Sequence, residues 1–254
     1  MGWRSWRDAL WLRRHRIPEP AWREVTQRLH PLRRLDEVQR ARLRALASLF
    51  LRDKALNAVQ GLTLDEPKAV TIATLACLPI LELGLDWYDD WREVVVYPEG
   101  FIVEQETVDA AGVVHPQRRA LSGEAWNRGP LILAWADLEH RRRGSNVVIH
   151  ECAHKLDMRN GSANGFPPLH PGMVREDWTR AFSEAFDRLR YRLAHHHHTP
   201  IDPYGGESPG EFFAVLSEAF FETPEVLAGE CPAVFAQLRL FYRQDPLSRA
   251  GEAF

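Results

Sequence analysis

The order of apolar patterns along the chain predicts an α+β fold. Helical spacing dominates the first third, short β-branched runs separated by Gly and Pro occupy the middle, and helical spacing returns from about residue 145. Helices and strands segregated in this way are typical of α+β proteins, whereas regular alternation would indicate a parallel α/β sheet. We expect a helical N-terminal region over residues 1–85, packed on a core formed by residues 86–254.

Two N-terminal helices are predicted from apolar spacing and from start signals. From Asp36 to about Val59, apolar residues recur at intervals of three and four, which places them on one helical face. A second apolar segment follows Asp65, and Pro67 near its start suits the first turn of a helix.

The middle and last parts of the chain predict a small mixed sheet followed by helices. The predicted strands are the runs REVVVYP (92–98), FIVEQETVD (101–109) and GPLILAW (129–135). The predicted helices cover residues 145–158, 172–194, 209–222 and 232–243. Ser208-Pro209 and Thr223-Pro224 each place an N-cap residue before a proline, which is a helix start signal.

The composition argues against several classes of partner. Lys and Arg number 32 against 35 Asp and Glu, a net charge of -3, so no overall basic field favours nucleic acid or an anionic membrane as the main partner. Three widely spaced cysteines suit reduced thiols better than a disulfide framework. The first sixteen residues lack the apolar run of an export signal, and no apolar segment is long enough to span a membrane. We therefore expect a cytoplasmic protein.

Two surface features have more than one interpretation. Trp3, Trp6 and Leu10 share one face of a short helix, which can either contact a membrane surface or dock on the body of the protein. Four consecutive histidines at positions 195–198 are interpreted as a solvated helix end, although such a run also binds stray metal in vitro.

The stretch VVIHECAHKLD (147–157) carries the strongest chemical signal. Residues four apart lie on one helical face, so His150 and His154 can direct imidazole nitrogens at one metal ion. Glu151 lies about 100° around the helix from His150, within reach of water in an open coordination position, and is the candidate general base. Cys152 is predicted to be a core thiol. The alternative is a buried helix that carries two core histidines.

A catalytic zinc ion usually takes a third protein ligand. The close-spaced third histidine of extended motifs is absent, so we expect the ligand from the later helix ESPGEFFAVLSEAFFE (207–222). Glu211 and Glu218 are seven residues apart and share one face of that helix. Glu211 also follows Ser208 by three residues, as in a capping box, so it can bind either the metal or the helix N-terminus. Glu218 can be the ligand or a residue that orients a histidine.

Several segments form a specific set: VVVYPEGF, SGEAWNRGPLILAW, HECAHKLDMRNGSANGFPPL and DPYGGESPGEFFAVLSEAFFETPEVL. As a set they resemble the Mlc titration factor A family of zinc metallopeptidases, and the resemblance extends from RIPEPAW to FYRQDP near the end of the chain. It implies a cytoplasmic protein with a zincin-type catalytic domain, related to that of anthrax lethal factor, over residues 86–254. It also implies one zinc ion per chain, aminopeptidase activity on peptide substrates, and the glucose repressor Mlc as a partner.

Carried over by position, the resemblance implies zinc ligands at His150, His154 and Glu211, with Glu151 as general base. It also points to Tyr204, in DPYGGESPGE, as a phenol that hydrogen-bonds the oxyanion of the tetrahedral intermediate. A loop tyrosine packed on the surface is the alternative for Tyr204.

Two neighbouring features stay open at the level of sequence. The run LILAW (131–135) is either the edge strand along which an extended peptide pairs, the usual arrangement in zincins, or a central strand of the sheet. Asp157 either accepts a hydrogen bond from a ligand histidine or caps the loop that begins at Arg159.

The predicted function is a zinc-dependent peptidase in which Glu151 activates water for attack on a peptide bond. The alternative is a non-catalytic regulatory protein that sequesters a transcription repressor of the Mlc type, with a structural or modulatory zinc site. One protein can combine both functions.

Overall fold

The computed structural model describes residues 3–99, 101–108, 114–121, 123–125, 129–140 and 144–248, with the backbone alone for residues 3–5 and for those between 101 and 125. The described helices are α1 (Trp3–His15), α2 (Glu19–Thr26), α3 (Glu37–Asp53), α4 (Glu66–Cys77), α5 (Trp135–Glu139), α6 (Val147–Asp157), α7 (Arg175–Ala194), α8 (Pro209–Glu222), α9 (Pro224–Glu230) and α10 (Pro232–Tyr242). The described strands are β1 (Ala55–Ala58), β2 (Glu93–Tyr97), β3 (Phe101–Val108), β4 (Val114–Leu121), β5 (Gly123–Ala125) and β6 (Leu131–Ala134). Short 3-10 helices cover His30–Arg34, Leu85–Tyr88, Met158–Asn160 and Pro203–Gly206.

The main sheet has four strands in the order β1-β2-β6-β5. β1, β2 and β6 are parallel, and β5 pairs antiparallel with β6. Parallel neighbours require crossover connections. The crossover from β1 to β2 contains α4, and the one from β2 to β6 contains the separate antiparallel hairpin of β3 and β4. The predicted α+β class is therefore confirmed.

The end of the third helix differs from the prediction. Helical spacing continues to about Val59, but α3 ends at Asp53 and Lys54 is extended, with φ -115° and ψ 130°. The next four residues pair with β2, and Ala55 donates its N–H to the carbonyl of Arg92. The helical prediction for residues 54–59 was wrong because ladder hydrogen bonds to a distant strand outweigh a local apolar pattern. The N-terminal region thus contributes a strand to the sheet.

The run LILAW does not form a sheet edge. β6 lies between β2 and β5 and pairs with both, so the central-strand interpretation is confirmed and the edge interpretation is wrong. Among the described strands, β5 has one neighbour and is the edge of the sheet on the side of β6. α6 packs against both β5 and β6, which brings the edge strand close to the helix with the two histidines.

The hydrophobic core surrounds the helix that carries the histidines. Every residue of α6 is buried, α4 is buried from Ile72 to Cys77, and α8 is buried from Phe212 to Glu222. Cys77, Cys152 and Cys231 are all free thiols in buried positions, in agreement with the prediction of reduced cysteines.

The N-terminal helix docks on the body through part of its surface. Arg52 of α3 pairs with Asp8 at 2.8 Å, and its guanidinium lies 5.2 Å from the centroid of the Trp11 ring. Trp6 and Leu10 remain exposed, and the side chain of Trp3 lies outside the described residues. No described helix combines the length and apolar character that a membrane crossing requires. The four histidines at 195–198 follow the end of α7 and are exposed, as predicted.

Candidate metal centre

α6 begins at a strong N-cap and is surrounded by the core. The Asn146 side chain accepts a hydrogen bond from the N–H of Ile149 at 3.3 Å, which starts the helix just before the apolar run. Every residue of this helix is buried, and His150 and His154 are only 8% and 7% exposed. Burying two imidazoles this deeply requires polar partners for their nitrogens.

Carboxylates of α8 supply partners for three of the four imidazole nitrogens, and Nδ1 of His154 has no hydrogen-bond partner among the described residues. The Oε2 atom of Glu211 lies 3.0 Å from Nε2 of His150 and 3.3 Å from Nε2 of His154, and the two Nε2 atoms are 3.2 Å apart. This group is a possible metal-binding cluster of His150, His154 and Glu211. The structure thus brings together the three residues that the family resemblance implied as metal ligands.

The two roles considered for Glu211 are divided between its backbone and its side chain. Ser208 is the N-cap of α8, and its hydroxyl accepts a hydrogen bond from the N–H of Glu211 at 3.2 Å. The Glu211 carboxylate does not complete a capping box, because it lies against the two histidines. The backbone therefore satisfies the helix cap while the side chain is available to a metal ion.

Glu218 contacts His150 on the side of the ring that faces away from the cluster of Nε2 atoms. Its Oε1 atom is 2.7 Å from Nδ1 of His150, and its Oε2 atom accepts a hydrogen bond from the N–H of Asn146. Glu222, one turn further along α8, accepts a hydrogen bond from the Asn146 side chain at 2.6 Å. A carboxylate on Nδ1 keeps the proton on that nitrogen and leaves Nε2 as the lone-pair donor, which is the tautomer a metal ligand needs. Glu218 therefore fits the orienting role.

The spacing of the three inner atoms fits a tetrahedral ion. Two ligand atoms at about 2.0–2.1 Å from zinc, at the tetrahedral angle, are about 3.3 Å apart. The three observed separations of 3.0, 3.2 and 3.3 Å agree with this value. Because Glu218 holds the proton of His150 on Nδ1, the Nε2 lone pair of His150 faces both Nε2 of His154 and the Glu211 carboxylate. A divalent cation satisfies all three atoms at once.

The electrostatics favour positive charge at this point. Burial lowers the pKa of His150, but hydrogen bonds with Glu211 and Glu218 outweigh burial and raise this pKa well above its ordinary value. Burial raises the pKa of Glu211, yet the two histidines reverse the effect and hold it far below the ordinary range. Glu211 is therefore ionised at neutral pH. A cation next to an ionised, half-buried carboxylate removes the cost of burying that charge.

The two remaining predicted site residues lie beside this cluster. Glu151 is next to His150 on α6 and is 3% exposed. Tyr204, in the 3-10 helix Pro203–Gly206 just before α8, is 36% exposed, and its ring centroid lies 5.9 Å from that of His150. Tyr204 therefore lies at the exposed rim of the cluster, beside His150.

Two other residues of α6 have structural roles. Cys152 is fully buried, and burial raises its pKa to about 12, which fits a core thiol and not a ligand. Asp157 accepts hydrogen bonds from the N–H groups of Gly165 at 2.7 Å and Phe166 at 3.0 Å. It therefore caps the loop after the motif helix, one of the two interpretations left open by the sequence.

That loop fixes the distance between the two ligand-bearing helices. A Cβ atom on Gly165 would lie 2.5 Å from the carbonyl oxygen of Pro209, and one on Gly210 would lie 2.8 Å from the carbonyl oxygen of Ala163. Backbone contacts this close pack the loop directly on the first turn of α8. Because Asp157 holds the same loop at the end of α6, the position of Glu211 relative to the histidines is set by backbone contacts.

Gly165→Ala is expected to destabilise the protein by more than about 2 kcal/mol, because it combines a left-handed φ of 77° with the contact to Pro209. The free energy of unfolding from urea titration measures this effect. Gly172→Ala is the matched control, since Gly172 has a φ of 92° but open space around its Cβ position. It should cost only the conformational strain, about 1 kcal/mol. Equal losses of unfolding free energy in the two variants would contradict close backbone packing at Gly165.

Three residues that support the elements around this site are not among those predicted from the sequence: Asn146, Glu222 and Gly165. An asparagine before an apolar helical run is a recognised start signal and could have indicated the cap. The four-residue spacing of Glu218 and Glu222 places both on one helical face. No local signal indicates the close contact of Gly165 with Pro209.

Comparison with known proteins identifies the family. A profile of the glucose-regulated metallo-peptidase M90 family matches residues 3–243. The chain belongs to this family. Mlc titration factor A of Salmonella arizonae is 44% identical over 215 residues, which cover 83% of this chain and 86% of that protein. The proteins of the same name from Salmonella paratyphi B and Salmonella typhimurium are also 44% identical over 215 residues, covering 83% of this chain and 81% of each relative. The resemblance to the Mlc titration factor A family is confirmed, and the possible metal-binding cluster lies in a member of a metallopeptidase family.

Proposed function

We propose that the protein is a zinc-dependent peptidase of zincin type that acts in the cytoplasm and binds zinc through His150, His154 and Glu211. The observation that carries this proposal is the convergence of three ligand atoms from α6 and α8 beside Glu151. Two imidazoles and one carboxylate are a donor set of catalytic zinc sites that leave the fourth position to water. Membership of the M90 family supports the same class of activity.

In this proposal Glu151 and Tyr204, both beside the metal site, each carry out a different proton-transfer or hydrogen-bonding step. A bound zinc ion supplies a Lewis acid that polarises a peptide carbonyl group and lowers the pKa of water. Glu151 accepts the proton of the attacking water and delivers it to the leaving amine. Tyr204 donates its phenolic hydrogen to the oxyanion that forms as the carbonyl is attacked. Burial of Glu151 and the rim position of Tyr204 support these roles.

Tyr204→Phe is expected to lower kcat about 10²-fold with little change in KM, because the lost hydrogen bond forms only in the transition state. Steady-state kinetics on a short peptide measures both constants. Tyr191→Phe is the control, since Tyr191 is an exposed tyrosine on α7 whose ring packs at a tilt against His195, which is not one of the three proposed ligands. An unchanged kcat in Tyr204→Phe would contradict the catalytic role and indicate that Tyr204 only packs on the surface.

The substrate of the proposed peptidase is an extended peptide with a free N-terminus, as the family resemblance implies. The edge strand β5 has one neighbour among the described strands and lies against α6. An extended peptide can pair with such an edge through main-chain hydrogen bonds, which makes binding largely independent of sequence. This edge replaces LILAW as the proposed peptide-binding strand.

The first experiment is the metal content of untagged protein, with hydrolysis of aminoacyl and N-blocked peptide substrates measured on the same sample. We expect about one zinc ion per chain and chelator-sensitive hydrolysis of the free N-terminal substrates. A variant with alanine at positions 195–198 excludes metal held by the exposed histidines. Chelation should also lower the melting temperature, because a ligand of the native state stabilises it. Zinc without any hydrolysis would exclude the peptidase and favour the second function below.

A second proposed function is binding of a transcription repressor of the Mlc type. The name of the curated relatives, Mlc titration factor A, supports it. Titration calorimetry of the purified protein with such a repressor from the same organism, with and without zinc, tests it directly. Failure to bind in both states would leave the peptidase as the proposed function.

A further inference from the structure

The N-terminal region carries an excess of positive charge that the metal site does not use. Residues 1–54 contain 13 arginines and one lysine against six acidic residues, whereas the whole chain has a net charge of -3. A marked difference in charge between parts of a chain indicates an anionic partner for the basic part. A cavity lined by several of these basic side chains is therefore a candidate site for an anionic ligand.

Such a cavity lies between α2, the 3-10 helix His30–Arg34 and α3. Its volume is about 600 Å³, within the range of small-molecule sites, and it shares no residue with the metal cluster. The charged residues that line it are four arginines and two glutamates: Arg23, Arg33, Arg40, Arg44, Glu19 and Glu37. The rest of the wall consists of Trp22, Thr26, Gln27 and Ala41.

Two of these charged side chains neutralise each other and hold the local fold. Arg44 donates from Nε and Nη2 to the carbonyl oxygen of Ile17, and its Nη1 pairs with Glu19. Glu19 also lies 3.5 Å from a guanidinium nitrogen of Arg23. Arg44 and Arg23 thus share the single carboxylate of Glu19, and the three side chains together keep one net positive charge.

Arg33 and Arg40 keep donors available to the cavity. Among the described residues, Arg33 makes no ion pair or hydrogen bond, and it is exposed on the 3-10 helix. Arg40, half-buried on α3, donates from Nε to the carbonyl oxygen of Leu35 at 2.9 Å, which fixes the guanidinium and leaves its two terminal nitrogens. Glu37 is the remaining carboxylate on the cavity wall.

We propose that this cavity binds a small phosphate monoester. Its phosphate group is held between the guanidinium groups of Arg33 and Arg40, and its organic part lies against Trp22 and Ala41. Planar guanidinium groups match phosphate oxygens in pairs, which gives directional binding that a general basic surface lacks. A phosphate monoester can come from a free small molecule or from a phosphorylated residue, and the size of the cavity favours the small molecule.

The binding test uses titration calorimetry of the full-length protein at physiological ionic strength, with inorganic phosphate, phenyl phosphate, phenol and a short phosphoserine peptide as probes. We expect saturable binding of phenyl phosphate, weaker binding of inorganic phosphate and none of phenol. No saturable binding of either phosphate probe to the wild-type protein would overturn the proposal. A phosphoserine peptide that binds more tightly than phenyl phosphate would overturn the small-molecule source.

Three substitutions separate a built site from diffuse attraction. Arg33→Gln and Arg40→Gln should each weaken phenyl phosphate binding at least about tenfold. Arg42→Gln is the matched control, because Arg42 lies between Arg40 and Arg44 on α3, pairs with Glu82 and does not line the cavity. It should change the Kd less than about twofold. An Arg42→Gln loss as large as that of Arg40→Gln would overturn the proposal.

Glu37→Gln tests the same site in the opposite direction. Removal of this carboxylate from the cavity wall should tighten phenyl phosphate binding, because like charges of ligand and wall no longer repel. Unchanged or weaker binding in this variant would contradict the placement of the phosphate in the cavity. Binding of phenyl phosphate should also persist in chelator, which separates it from any interaction with the metal centre.

Discussion

Glu151→Gln is expected to reduce kcat for peptide hydrolysis about 10⁴-fold while the metal stays bound. The substitution keeps the size of the side chain but replaces a carboxylate, which accepts a proton, with an amide that does not. The three proposed ligand atoms belong to His150, His154 and Glu211, so the exchange does not touch the possible metal-binding cluster. Metal analysis and single-turnover hydrolysis on the same protein preparation measure the two effects separately.

The control for Glu151→Gln is another buried glutamate. Glu222 is 7% exposed on α8 and accepts a hydrogen bond from the Asn146 side chain, which glutamine at this position can still accept. Glu222→Gln therefore replaces a buried carboxyl group with an amide, as Glu151→Gln does, without removing the proposed base. It should keep kcat within a few-fold of the wild-type value. A Glu151→Gln protein that retains hydrolysis, or that loses its metal, would contradict the proposed role of Glu151.

The sequence predicted the motif helix because its information is local. The spacing of His150 and His154 on one face depends only on the period of the α-helix. The Ser208-Pro209 start of α8 is also local, since an N-cap serine and a proline at the first position act within one turn. Local signals of this kind gave α6 and α8 to within two residues of their observed bounds.

Other features depend on contacts between distant residues. Residues 55–58 form β1 because β2 pairs with them, and the local apolar pattern favours a helix there. The apolar run of β6 fits an edge or a central strand equally well, and only its pairing with both β2 and β5 decides. Likewise, the spacing of Glu211 and Glu218 places both on one face of α8. The roles proposed for them differ because Glu211 contacts Nε2 of His150 and Glu218 contacts Nδ1 of the same ring.

Glu211→Ala and Glu218→Ala are expected to lower zinc affinity by very different amounts. Glu211→Ala removes one of the three proposed ligands and leaves two histidines, so the protein should purify without zinc. Glu218→Ala leaves all three ligands but removes the acceptor on Nδ1 of His150, and loss of such a partner costs about 10–100-fold in affinity. Competition with a chromophoric chelator measures both dissociation constants. Equal losses in the two variants would contradict the distinction between ligand and orienting residue.

Glu218→Gln and added zinc sharpen this distinction. The glutamine carbonyl can still accept the hydrogen bond from His150, but its NH₂ group cannot accept from the N–H of Asn146 as the second carboxylate oxygen does. Its zinc affinity should therefore lie between those of the wild type and Glu218→Ala. Because the Glu218 variants keep the three ligands, excess zinc should restore their hydrolysis. Excess zinc should not restore Glu211→Ala, since an ion held by two histidines alone lacks the third ligand that fixes its geometry.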